Sequence, residues 1–143
     1  MKKVFTILLL CLMAVQFGQN TFASNPGKST LSVTPEDKKV EVYYFHYTRR
    51  CATCQAVEDE TKKALEQFYP AQMKDGSVTF LSINLEEGDN EAFAEKLGVS
   101  GQTLLLVAGE KKVDLTNDAF MNATTKPEKL HKEIRKTVDE LLK

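Results

Sequence analysis

The run Val40 to Tyr47, Val-Glu-Val-Tyr-Tyr-Phe-His-Tyr, is β-branched and aromatic almost throughout. That pattern predicts a strand covered on both faces, hence a central one. From Ala52 to Tyr69 the period changes. Cys54, Val57, Thr61, Ala64, Leu65 and Phe68 recur at helical spacing, and Pro70 follows as a stop. Glu58 with Lys62 and Asp59 with Lys63 stand four apart, as ion pairs on the wet side of such a helix. Lys74-Asp75-Gly76 reads as a turn and Ser77 to Leu85 as a second strand. Asp89 is placed to cap a helix that runs through Leu97, with Ala92, Phe93 and Leu97 inward and Gly98 at its end. Thr103 to Val107 is an apolar third strand, and Ala108-Gly109-Glu110 turns it back into Lys111 to Leu115 as a hairpin. A loop, including Asn122, separates the hairpin from a last helix over Pro127 to Leu142, with Leu130, Ile134, Val138 and Leu141 as its buried stripe.

The order strand, helix, strand, helix, hairpin, helix predicts an α/β fold: a four-stranded mixed sheet with helices on both faces. The alternation of the first three strands with helices predicts that they pair in parallel, with the hairpin adding an antiparallel edge.

The first two dozen residues follow a different pattern. Lys2 and Lys3 precede an apolar run from Val4 to Val15, then polar Gln16, Gln19 and Asn20, then Thr21-Phe22-Ala23-Ser24. A positive start, a short apolar stretch and small residues before a cut describe a secretory signal over residues 1–24. The run is too short for a bilayer core, which takes roughly 20 apolar residues. A lipid-modified Cys11 is disfavoured by the bulky Leu10 before it. Residues 25–38 are polar and read as a flexible tail, which leaves 39–143 as the folded domain. Export implies an extracytoplasmic location, secreted or periplasmic.

Composition narrows the function classes. Nineteen basic and twenty acidic residues give a net charge of -1, and losing Lys2 and Lys3 makes it -3. No basic block suggests nucleic acid, and no membrane contact is expected once the signal is gone. A monomer without cofactor or bound metal is the expectation. Of three cysteines, Cys11 lies in the signal, so Cys51 and Cys54 remain.

Cys51-Ala52-Thr53-Cys54 falls where a strand hands over to a helix. A helix N-terminus carries partial positive charge and free N–H groups, and both favour a thiolate, the nucleophilic form of cysteine. Arg49 and Arg50 are either further stabilisers of that anion or ordinary solvated loop charges. Cys51 is then the attacking sulfur, and Cys54, heading the apolar stripe, the resolving one. The expected partner is a protein thiol or disulfide. His46, at the strand end, is either a proton handler or a strand histidine with an ordinary hydrogen bond. The other uses of the pair are a structural disulfide, a soft-ion site for Cu(I) or arsenite, and an inert scaffold.

A Cys-x-x-Cys after a buried strand, opening a helix in this element order, resembles the thioredoxin-like superfamily over about residues 39–143. Within it the chain is similar to small exported thioredoxin-like proteins labelled as nitrophenyl-compound nitroreductase subunits. The resemblance implies a three-layer fold and thiol–disulfide exchange or electron passing through Cys51 and Cys54. It also places Gln102 at or beside the position of the family's proline before the third strand. Arg50 stands where the family usually has tryptophan, Ala52-Thr53 where it has Gly-Pro, and Phe45 where it has a buried acid.

Overall fold

The computed structural model describes residues 39–143; the expected signal, the polar tail and Cys11 lie outside the described residues. The elements are β1 (Val40–His46), α1 (Ala52–Phe68), α2 (Pro70–Asp75), β2 (Val78–Asn84), α3 (Asn90–Leu97), β3 (Thr103–Ala108), β4 (Lys111–Asp114), α4 (Thr116–Asn122) and α5 (Pro127–Leu141). The strands form one mixed sheet in the order β2-β1-β3-β4.

Side-chain alternation along β1 and β3 builds a core on each face, because successive residues of a strand point to opposite sides. Val40, Val42 and Tyr44 of β1 and Leu104 and Leu106 of β3 pack with Val57, Ala64 and Leu65 of α1 and with Leu130, Ile134 and Val138 of α5. Tyr43, Phe45, Leu105 and Val107 form the second core, with Ala94 of α3 and Val99 just beyond that helix. Helices therefore cover both faces of the α/β sheet.

The pairing differs from the sequence expectation at one strand. β1 and β2 are parallel, with Val40 opposite Val78 and His46 opposite Asn84. β3 runs antiparallel to β1, with Phe45 opposite Thr103, and β4 is antiparallel to β3. The reason is length. α3 has eight residues, about 12 Å of helix, whereas a seven-residue strand spans about 23 Å. The segment after β2 returns to the end of the sheet it left, so β3 starts beside the end of β1.

Four further local expectations are corrected. Pro70 ends α1 and also opens α2, since proline fits a first turn where its missing N–H costs nothing. The loop expected around Asn122 is the helix α4; Ala119 and Asn122 are buried, and Asn122 Nδ2 donates to the Asp118 carbonyl at 2.7 Å. In α3 the inward residues are Ala94 and, as expected, Leu97, while Ala92 is exposed and Phe93 sits at the rim, 36% exposed with its ring centroid 5.6 Å from that of Tyr43. Asp89 makes no side-chain cap; Asn90 Nδ2 instead donates to the Asn84 carbonyl at 2.8 Å. Gly98 ends α3 as expected, at φ 81, a left-handed conformation that glycine adopts without a Cβ penalty.

Leu106 is fully buried between the sheet and α1, α4 and α5. Leu106→Ala is expected to lower stability by about 2–5 kcal/mol in urea unfolding, through lost transfer energy and a residual cavity. Ala92→Ser is expected to change it by less than about 0.5 kcal/mol.

Candidate functional site

β1 ends at His46 and the chain turns through Tyr47 to Arg50 before α1 begins. This connection is tied across the sheet end: the Thr48 N–H donates to Glu86 Oε2 at 2.7 Å, and Asn84 Nδ2 donates to Thr48 Oγ1 at 2.9 Å. Cys51 is the N-cap residue of α1, with extended backbone (φ -76, ψ 168). Its sulfur accepts the N–H of Cys54 at 3.3 Å, one of the donors a helix start leaves without a partner. A sulfur thus stands where a hydroxyl or carboxylate commonly caps.

The two thiols differ in surroundings. Cys51 is exposed and Cys54 buried, both free, with their sulfurs 2.6 Å apart. The hydrogen bond from the Cys54 thiol, then the N–H groups of Cys54 and Thr53, hold the Cys51 thiol below the usual cysteine range. Burial pushes the Cys54 thiol up, and its bond to Cys51 adds to that. Cys54 Sγ also lies 3.5 Å from Gln102 Oε1. Gln102 reaches it because β3 starts beside the end of β1.

Two residues that the sequence reading left outside the site belong to its surroundings. Tyr44, read from the sequence only as part of the covered strand Val40 to Tyr47, donates its hydroxyl to the Cys54 carbonyl at 2.9 Å from a fully buried ring. It fixes the first turn of α1 against the sheet. Glu58, expected on the wet side, is 8% exposed. Its Oε2 accepts from Arg50 Nη1 and its Oε1 from Lys62 Nζ at 2.6 Å. The available signal was its spacing of four from Cys54, which puts both on one face of α1. Lys63 pairs with Glu60 at 2.6 Å, not with Asp59.

The remaining expected site residues are placed as follows. Arg49 is exposed, and Arg50 turns its guanidinium to Glu58; among the described residues neither forms a hydrogen bond to Cys51. His46 is buried, with Nδ1–H donating to the Tyr47 carbonyl at 3.0 Å and no hydrogen bond to either sulfur. The structure therefore brings together Cys51, Cys54 and Gln102, with Arg50 and Glu58 on the flank, and leaves His46 and Arg49 apart from the sulfurs. Among the described residues no group of three or more His, Cys, Asp or Glu gathers as a metal site. No helix among them is long and apolar enough to cross a membrane.

No family model and no curated protein matches the chain. One solved structure, described as "Structure of a malarial protein", is similar over 59% of this chain and 94% of its own, at 20% identity and a TM-score of 0.40. A likeness of that size carries no argument for fold or function.

Burial alone would push the Glu58 carboxyl up, but Lys62 and Arg50 outweigh it and hold it below the usual carboxylate range. A carboxylate with a depressed folded pKa contributes stability above its unfolded value, about 4.3, and loses it as pH falls through the lower folded value. Glu58→Gln is expected to cost roughly 1–3 kcal/mol at neutral pH. The gap to the wild type should close below about pH 4.3 in urea unfolding followed against pH. A gap that stays constant to pH 3 would contradict the ion pair's contribution.

Proposed function

We propose that this chain is a thioredoxin-like thiol–disulfide oxidoreductase or electron-passing subunit that works outside the cytoplasm, with a protein disulfide or dithiol as co-reactant. The observation that carries this reading is the asymmetry of the pair: an exposed sulfur capping a helix, with a buried thiol 2.6 Å behind it.

In the reducing direction, the Cys51 thiolate attacks one sulfur of the partner disulfide. A Cys51–partner bond forms, the partner's S–S bond breaks, and its other sulfur leaves as a thiolate that takes up a proton. The Cys54 thiol then gives up its proton and attacks the Cys51 sulfur. The intramolecular disulfide forms and the second partner thiolate is released. Two electrons have passed from the pair to the partner, whose two thiolates take up the Cys54 proton and one from solvent. The reverse sequence oxidises a partner dithiol. Held above the usual cysteine range by burial, the Cys54 thiol suits a resolving group that stays protonated until the mixed disulfide brings it into play. Gln102 Oε1, 3.5 Å from the Cys54 sulfur, is an alternative acceptor for its S–H once the Cys51 sulfur is bonded to the partner.

Soft-ion binding would draw on the same two sulfurs. Zinc normally takes four ligands, and the described residues offer the pair no third donor of that kind. The exchange reading needs only the two thiols and a partner.

Reduced Cys54→Ser, mixed with oxidised glutathione, is expected to accumulate a mixed disulfide on Cys51 that mass spectrometry reads as added glutathione. Cys51→Ser is expected to form at least tenfold less, because its remaining thiol is buried. Equal labelling of the two variants, or labelling mainly at Cys54, would overturn the reading.

A further inference from the structure

Arg50 directly precedes Cys51, and an unpaired guanidinium there would stabilise the thiolate. The structure gives that guanidinium another partner. Its Nη1 donates to Glu58 Oε2, a carboxylate one turn beyond Cys54 on the same helix. Lys62 Nζ holds the other carboxylate oxygen at 2.6 Å and lies over the Phe80 ring, 5.5 Å from its centroid. The pair is sheltered: the side chains of Arg50 and Glu58 are 29% and 11% exposed. From β1, the Tyr44 hydroxyl faces the same cluster, and Arg50, Glu58, Cys54 and Cys51 all act on its ionisation. From α5, His131 faces α1 at Glu60, which it meets at 2.8 Å together with Lys63.

Glu58 makes no hydrogen bond to either sulfur, and a helix of this kind needs no carboxylate at that buried position. We propose that Glu58 is a positioning residue of the dithiol site: it anchors and neutralises the Arg50 guanidinium on the flank of α1, so that the Cys54 thiol and the helix start, not the guanidinium, set the reactivity of Cys51. This inference rests on the dithiol reading of Cys51 and Cys54. Its chemical consequence has a sign. An unneutralised cation beside Cys51 favours the thiolate and hence the reduced protein, which makes a stronger oxidant. Glu58 therefore holds the pair to a less oxidising poise than the Arg50 charge would give by itself.

The test is pH-dependent alkylation of the reduced full-length chain with iodoacetamide, in low salt because exposed charges are screened. Wild type, Glu58→Gln, Arg50→Gln and the double variant are compared, with circular dichroism to verify folding. Glu58→Gln is expected to lower the Cys51 titration midpoint and raise the alkylation rate below it by about threefold. Arg50→Gln is expected to raise the midpoint, and the double variant to return towards wild type. A purely structural role predicts shifts of one sign in both single variants and no return in the double. An unchanged or raised midpoint in folded Glu58→Gln overturns the proposal. If that variant does not fold, an unchanged or lowered midpoint in Arg50→Gln overturns it instead. The readout is the thiolate of Cys51, so this failure is separate from failure of the dithiol reading, which would show as a wild-type chain that forms no reversible intramolecular disulfide.

Discussion

The first turn of α1 leaves backbone N–H groups that no helical carbonyl can satisfy, and the Cys51 sulfur takes one of them, from Cys54, at 3.3 Å. An anion there meets hydrogen-bond donors that are already fixed in place and the positive end of a seventeen-residue helix. Everything else about the site follows from keeping that helix start where it is. Val57, Ala64 and Leu65 bury one face of α1 against the sheet, and the Tyr44 hydroxyl ties the first turn to β1 through the Cys54 carbonyl. The ties among Thr48, Asn84 and Glu86 hold the entering chain across the ends of β1 and β2.

The same placement separates the two thiols. One turn of helix carries the chain from an exposed position to one that is 4% exposed, so two like side chains three residues apart acquire opposite shifts in acidity. Topology adds the last neighbour. The short α3 returns the chain to the end of the sheet it came from, β3 runs back against β1, and Gln102 arrives beside Cys54. A parallel β3 would have started at the opposite end of the sheet and left the pair without it.

Much of this was legible in the sequence. The strands β1 and β3 and the helices α1 and α5 declare themselves because their apolar positions repeat over several periods, and the Cys-x-x-Cys marks the strand-to-helix junction. Two of the short helices, α2 and α4, were hidden. α4 has seven residues, too few for a period to show, and its buried residues are one alanine and one asparagine, Ala119 and Asn122. α2 was concealed by Pro70, which reads as a stop although it also begins a first turn. The direction of β3 depends on the length of a connection rather than on the strand's own residues. The surroundings of the site were the least legible. Charge alone sends Arg50 to the sulfur and Glu58 to solvent, and only the three-dimensional placement pairs them with each other.

The account depends on an accessible sulfur at position 51 that exchanges electrons with a buried neighbour. The most direct measurement is a titration of the wild-type pair against a glutathione redox buffer at pH 7, read by mass spectrometry after thiol labelling. The account predicts one reversible two-electron transition in which Cys51 and Cys54 change state together, reached from either the oxidised or the reduced side. A pair that stays reduced or stays oxidised across the whole range would contradict it.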